Sequence, residues 1–166
     1  STKTKIDDMY DIASLTKVVA TTLLIMKYYE DNIFDLDQPL IEFLPDFKNI
    51  QCPNDEWRNK ITTKHILTHT AGLCSTVPGS DFPHNSTLEF RRNEIMKSVL
   101  QYEPGTKTVY SDVGFMFLYV IAEEIYKQKV VKNASETKLY KPEELEKQYF
   151  FDQLEMKDTC YNPLET

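Results

Sequence analysis

The sequence predicts a mostly α-helical fold for these 166 residues, arranged as a single domain or fragment. Only four glycines occur, which is few for a protein rich in tight β-turns, and 41% of the residues are hydrophobic, enough for a core. Apolar runs begin after helix-capping residues and end at turn-forming residues. Together these features favour helices packed around one core.

Capping residues and apolar spacing place the individual helices. We expect them at residues 14–30, about 38–43, from Thr62 or Thr63 to 69, 88–101, 113–127 and 142–150. In the 88–101 helix, Ile95, Val99 and Leu100 should face the core. The apolar run that follows Lys17 predicts that the first helix is buried on nearly every side.

The predicted organisation has four consecutive stretches. Residues 1–13 lead into the first helix, 14–127 form a helical region with the candidate site, 128–141 are a polar, solvated connection, and 142–166 contain a helix and a turn.

The most informative local pattern is Ser14, three residues before Lys17 in the first turn of a predicted helix. Residues i and i+3 share a helix face, with Cβ atoms about 5–6 Å apart, so the amine can reach the hydroxyl. A serine becomes a nucleophile when a neighbouring base takes its proton, and burial would lower the pKa of Lys17 toward that role. The Ser14 N–H would supply half of an oxyanion hole. The same pattern also fits a serine that caps a helix.

A second pattern, Tyr110-Ser111-Asp112, follows the turn at Pro104-Gly105. In combination and order, these motifs resemble the serine β-lactamase and penicillin-binding-protein superfamily, closest to class C-like esterases and related hydrolases. The matching stretches are residues 11–17, 32–45, 61–73, 104–115 and 154–159. The resemblance implies the helical subdomain of the α+β β-lactamase/transpeptidase-like fold, with most of the β-sheet not encoded in this chain.

The resemblance also implies roles for four residues. Ser14 would be the acylated nucleophile, Lys17 its proton partner, and Tyr110 the general base or acid. Asp112 would position Lys17 or the substrate. As a carboxylate beside an ammonium, Asp112 should hold Lys17 charged, which favours Tyr110 as the proton acceptor.

One departure from the family pattern concerns its third motif. No Lys-Thr-Gly or His-x-Gly follows Tyr110, and Gly105-Thr106-Lys107 lies on the wrong side of it. In relatives this motif lies on a sheet strand and supplies the second oxyanion donor. We therefore expect strands from the rest of a longer chain or from a partner chain to complete the site, and little turnover without them. Without those strands, the face of the 14–30 helix that packs against them in relatives should be exposed.

The sequence thus favours a serine hydrolase that cleaves a small-molecule ester, amide or β-lactam through a Ser14 acyl-enzyme, with no cofactor. The alternative is a non-catalytic scaffold or assembly subunit that binds another chain. A metal site formed by His65, His69 and His84 is a third interpretation. It lacks the glutamate of a metalloprotease motif, and a structural histidine pair is the preferred interpretation.

Charge and cysteine content narrow the partners and the compartment. A formal net charge of −7 without a basic stripe argues against nucleic acid, and no apolar run is long enough to span a membrane. Cys52, Cys74 and Cys160 suit neither a disulfide framework nor a zinc site. We expect a soluble protein and free thiols in a reducing compartment such as the cytoplasm or mitochondrion, although a signal segment could have been removed.

Overall fold

The computed structural model describes residues 3–48, 54–76, 87–131 and 140–161. Its α-helices are α1 (Leu23–Glu30), α2 (Thr63–Leu67), α3 (Leu88–Met96), α4 (Asp112–Ile125) and α5 (Pro142–Glu146). Short 3₁₀ turns cover Ala13–Leu15, Leu40–Glu42, Pro45–Lys48 and Asp55–Lys60. Within these ranges, strand-like pairing is limited to isolated bridges that join Pro39 to Thr62 and Leu73 to Leu100. The prediction of a mostly α-helical fold is confirmed.

Helix α4 is the centre of the core. It packs against α1, α2, α3 and α5, and its largest buried side chains include Phe117 and Leu118. Ser111 caps its first turn by accepting a hydrogen bond from the Gly114 N–H. The helix continues through the π-helical turn Tyr126–Val130, so helical structure extends past the expected end at 127. The Gln128 side chain holds this extension by donating to the Phe43 carbonyl at 3.1 Å.

The first helix begins with the 3₁₀ turn Ala13–Leu15, continues as a π-helix over Lys17–Thr22 and ends as α1. We call this 13–30 segment the N-terminal helix. Its inner face is buried against α4 and α5, through Ala20, Leu24, Ile25 and Tyr28.

The outer face of the N-terminal helix is exposed, as we expected of the face that packs against strands in relatives, so the burial that the apolar pattern predicted is limited to the inner face. Exposed apolar side chains lie along this face, and we call them the outer stripe: Leu15, Val18, Val19, Met26 and Tyr29. Since no described element covers the outer stripe, the helix is buried on one face only.

Helix α3 ends five residues earlier than predicted. Thr87 caps it as expected, and Ile95 and Leu100 are buried, but Val99 is exposed, so the prediction for Val99 was wrong. The buried Arg58 guanidinium donates to the carbonyls of Met96 and Ser98, which draws the chain away from helical geometry. The extended segment that follows instead pairs through the Leu100 bridge.

Candidate active site

The start of the N-terminal helix presents Ser14 and Lys17 to each other. Ala13 has a φ of +44°, a left-handed conformation that is uncommon for alanine, and its N–H donates to Asp11 Oδ1 at 2.7 Å. Ser14 follows directly in the 3₁₀ turn, and Lys17 Nζ donates to Ser14 Oγ at 3.0 Å. The i, i+3 contact expected from the sequence is therefore present.

Asp112 and Tyr110 reach the same ammonium group from the far end of the sequence. Lys17 Nζ lies 2.7 Å from Asp112 Oδ1 and 5.1 Å from the centroid of the Tyr110 ring. Burial lowers the pKa of Lys17, but hydrogen bonds to Asp112 and Tyr110 outweigh that effect and raise the pKa above its ordinary value. Lys17 is thus held as a cation, as expected from the carboxylate at position 112, and the expectation that burial would lower its pKa toward the role of a base was wrong.

The phenol of Tyr110 responds in the opposite direction. Hydrogen bonds first to Lys17 and then to Ser14 lower the pKa of Tyr110 below its ordinary value. The structure therefore brings together all four predicted site residues: Ser14, Lys17, Tyr110 and Asp112. Of the two side chains near Ser14 that could accept its proton, only Tyr110 has its pKa shifted toward neutrality.

The loop before α4 is fixed in place by a neighbouring segment. Ser111 Oγ donates to the Cys74 carbonyl at 2.6 Å, and the Asp112 N–H donates to the Ser75 carbonyl at 2.8 Å. The same segment lies close to Tyr102 at Gly72, where a Cβ would be 2.2 Å from the Tyr102 carbonyl oxygen. These hydrogen bonds hold Ser111 and the first residue of α4, Asp112, in place beside Tyr110.

The two described histidines do not converge. His65 lies in α2, where its Nδ1 accepts from the Thr62 N–H and completes a capping box. His69 lies beyond the end of α2 in a left-handed conformation, and its ring stacks on Tyr110 with centroids 4.6 Å apart. His84 lies outside the described residues. Among the residues that are described, no group of three or more potential ligands could hold a metal ion.

Sequence reasoning missed the position of His69 in the site. The pair at i and i+4 suggested one helix face, but α2 ends at Leu67. The glycine at position 72, three residues after His69, was the available signal in the sequence, because a glycine commonly follows the end of a helix. In the structure Gly72 has a positive φ.

A cavity of about 770 Å³ opens beside Ser14 and extends between the N-terminal helix, α3 and α4. Its walls include Lys17 and Asp112, the apolar side chains Ile95 and Phe115, and charged side chains of α3 and α4 such as Glu123. The cavity therefore leaves room for a bound group next to Ser14.

Two further expectations concern the membrane and the thiols. No helix in the described ranges is long and apolar enough to cross a membrane. Cys74 is a buried free thiol and Cys160 an exposed one, while Cys52 lies outside the described residues.

Known proteins similar to this chain share its fold. A relative named "Putative D-alanyl-D-alanine carboxypeptidase" from Salmonella agona is 33% identical, and the match covers 94% of this chain and 34% of the relative. A β-lactamase/D-alanine carboxypeptidase from Yersinia pestis, solved with citrate, superposes with a TM-score of 0.69 at 24% identity and covers 92% of this chain and 40% of its own. A D-stereospecific amidohydrolase from Streptomyces has a TM-score of 0.71 at 20% identity, covering 91% and 44%.

These shares show that the chain spans about a third of the length of the curated relatives it matches. They agree with the predicted helical subdomain of a larger β-lactamase-like fold. The family model "Beta-lactamase" matches residues 2–166. This chain therefore belongs to the β-lactamase family, within the serine β-lactamase and penicillin-binding-protein superfamily of hydrolases.

Proposed function

We propose that this chain carries the acylation centre of a serine hydrolase, in which Ser14 Oγ attacks the carbonyl carbon of an ester, amide or β-lactam. The observation that carries the proposal is the position of the Lys17 ammonium. It lies 3.0 Å from Ser14 Oγ and 2.7 Å from Asp112 Oδ1, and it faces the Tyr110 ring. One cation thus contacts a nucleophile, a carboxylate and a phenol.

The proposed proton route begins at Ser14. Tyr110, ionised beside Lys17, accepts the hydroxyl proton as Ser14 Oγ bonds to the carbonyl carbon, and the carbonyl π electrons move to oxygen. Tyr110 then returns the proton to the departing alkoxide or amide nitrogen, which leaves an acyl-serine. In the second half of the reaction, Tyr110 accepts a proton from water as the water oxygen bonds to the acyl carbon. Tyr110 then returns the proton to Ser14 Oγ as the acyl–serine bond breaks, which releases the acid. Lys17 remains an ammonium throughout, held by Asp112.

The negative oxygen of the tetrahedral intermediate needs hydrogen-bond donors. The Ser14 N–H is one candidate, because it lies in the first turn of the N-terminal helix, where N–H groups lack intrahelical acceptors and the helix dipole is positive. A second donor would come from a strand beyond these residues. Loss of one such donor typically costs about 10²–10³ in rate, so we expect little turnover without it.

The outer stripe supports packing against additional strands. Contiguous exposed apolar side chains of this kind usually mark a surface that contacts another element. Since the chain spans about a third of its relatives, we propose that the strands belong to the rest of a longer chain. A partner chain that supplies them is the alternative.

The names of similar proteins suggest the substrate class. They include carboxypeptidases for D-alanyl-D-alanine and a D-stereospecific amidohydrolase, both of which are acyl-transfer activities. We propose a small ester or peptide-like amide as substrate, with its apolar part in the cavity beside Ser14. Asp112 and the Val113-Gly114-Phe115 segment favour an esterase or a peptidase-like enzyme over a β-lactamase that confers drug resistance.

The competing function is a non-catalytic scaffold that binds another chain. The outer stripe favours it, because that surface would serve a binding subunit equally well. The contacts between Ser14, Lys17 and Tyr110 favour the hydrolase, because binding alone gives no physical reason to keep them.

Covalent labelling separates the two functions. We expect a fluorophosphonate or fluorescent penicillin probe to label the protein, and Ser14→Ala to abolish the label with the mass shift mapped to Ser14. Ser75→Ala is the matched control, since Ser75 is exposed near the site and contributes only its main-chain carbonyl to Asp112. Absence of labelling in the complete protein, or equal labelling of Ser14→Ala, would favour the scaffold.

A further inference from the structure

His69 contacts Tyr110 in a way that the proton route does not use. Its ring stacks on the Tyr110 ring with centroids 4.6 Å apart and an interplanar angle of 35°. The same ring lies 5.2 Å from that of Phe115. Lys17 Nζ lies over the Tyr110 ring, 5.1 Å from its centroid, and over the Phe115 ring, 5.7 Å from its centroid. His69 therefore lies against one face of the phenol, and the charged side chains that act on its ring are Lys17 and Asp112.

His69 also holds the main chain on both sides of Tyr110. The Val109 N–H donates to the His69 carbonyl at 2.9 Å, and the Ser111 N–H donates to His69 Nδ1 at 3.1 Å. One residue thus contacts the ring of Tyr110 and the peptide groups that precede and follow it. With a φ of +58°, His69 occupies a backbone conformation that histidine adopts rarely.

We propose that His69 is a positioning residue for Tyr110, fixing the phenol toward Ser14 through its ring and its Nδ1 acceptor. This role rests on Tyr110 as the proton acceptor in the proposed function. The Nδ1 atom can accept the Ser111 N–H only when it carries no proton, so His69 acts as the neutral tautomer with hydrogen on Nε2. Burial and then the Lys17 charge lower the pKa of His69, which agrees with that tautomer.

Two substitutions separate the two contacts. His69→Phe keeps an aromatic ring but removes the acceptor. His69→Asn places an amide oxygen near the position of Nδ1 and tolerates positive φ, but removes the ring. His65→Asn is the matched control, because His65 Nδ1 also accepts a main-chain N–H, that of Thr62, away from Tyr110.

Nuclear magnetic resonance tests the positioning without any need for turnover. In the wild type we expect a scalar coupling between the Ser111 amide nitrogen and His69 Nδ1 across their hydrogen bond. We also expect both His69 variants to raise the pKa of Tyr110, followed through its ¹³Cζ signal, because the phenol moves away from Lys17. The His65 control should leave that pKa unchanged. Absence of the coupling, or an unchanged Tyr110 pKa in both variants, would overturn the proposal.

Acylation kinetics give the second readout. A displacement of about 1 Å can cost about 10²-fold in rate, so we expect His69→Phe to lower the maximal acylation rate constant about 10–100-fold, with the half-saturating probe concentration unchanged. His69→Asn should lose less. Effects on the half-saturating concentration alone would contradict a positioning role. If the wild type takes no label at Ser14, the proposed function fails, while the coupling and the Tyr110 pKa still decide whether His69 holds the phenol.

Discussion

The hydroxyls of Tyr110 and Tyr161 each contact an ionisable side chain, and their pKa values shift in opposite directions. At the candidate site, hydrogen bonds to Lys17 and then Ser14 lower the pKa of Tyr110. Near the end of the described chain, burial of the hydroxyl and its hydrogen bond to the Glu146 carboxylate raise the pKa of Tyr161. A neighbouring cation thus lowers the pKa of the Tyr110 phenol, whereas burial and then a neighbouring carboxylate keep the Tyr161 phenol protonated.

The partners of the two tyrosines differ in the same sense. Lys17 stays protonated because the Asp112 carboxylate, 2.7 Å away, balances its positive charge. Glu146 has no described cation against it, and burial, with Glu143 nearby, raises its pKa to about 7. The candidate site thus stabilises its charges in pairs, whereas the Glu146 site favours a neutral carboxyl. The first arrangement suits proton transfer, and the second makes folding stability depend on pH.

The largest expected effect on the acylation rate comes from removing the Tyr110 phenol, whose pKa is lowered. Tyr110→Phe should reduce the rate of Ser14 acylation about 10²–10³-fold, since the substitution leaves Ser14 without its proton acceptor. Tyr161→Phe removes the other phenol and should leave the rate within about twofold. Stopped-flow acylation by a chromogenic ester or a penicillin measures both. Equal acylation rates for the two variants would contradict the role of Tyr110 as the proton acceptor of Ser14.

A smaller effect is expected from Glu146. The unfolded carboxyl ionises near pH 4.5 and the folded one near 7, so between these values the unfolded chain releases a proton that the folded chain retains. The free energy of unfolding should therefore fall as pH rises through this window, by about 3 kcal/mol in total. Glu146→Gln should remove the decline and stabilise the protein by about 2–3 kcal/mol at pH 8, with little change at pH 4.

Urea unfolding at several pH values measures this effect. Glu30→Gln is the control, because Glu30 is exposed at the end of α1 and its carboxylate acts on Lys27 only through its charge, without a described hydrogen bond or ion pair. If Glu146→Gln keeps the wild-type decline, the carboxyl does not titrate in this window and the contrast with Tyr110 disappears.

Local periodicity predicts half of the candidate site. The Ser14–Lys17 contact follows from i, i+3 spacing on one helix, which needs no knowledge of the rest of the fold. Tyr110 and Asp112 were assigned by resemblance, because no local rule brings distant segments to the same ammonium. In the structure, the packing of α4 against the Lys17–Thr22 π-helix makes that connection. Hydrogen bonds from the Ser111 hydroxyl and the Asp112 N–H to the carbonyls of Cys74 and Ser75 hold the start of α4 in place.

Burial was the less predictable property. The N-terminal helix is apolar on most sides, so its pattern could not distinguish the face against α4 from the outer stripe. Glu146 follows Glu143 and Glu144 in a charged run that predicts exposure, yet its side chain is buried beside Leu145. Position in the packed body, and not residue type, decides both cases. The pKa shift of Glu146 was therefore invisible in the sequence.

The smallest expected effect concerns Asp112, the group that balances Lys17. In Asp112→Asn, the pKa of Lys17 should fall because its ion pair is lost, and the pKa of Tyr110 should fall further because a nearby negative charge is removed. The acid limb of the acylation profile should therefore shift to lower pH. Because this ion pair is partly exposed, the maximal rate should change by less than about tenfold.

Measuring acylation rate against pH, together with the Tyr110 ¹³Cζ titration, tests this expectation. Asp37→Asn is the matched control, since Asp37 pairs with Lys64 at 3.2 Å on the exposed surface and should leave the profile unchanged. A shift of the acid limb to higher pH in Asp112→Asn would mean that the carboxylate assists ionisation of the phenol. In that case the Lys17 charge would not explain the lowered pKa of Tyr110, and it would not explain the difference from the raised pKa of Tyr161.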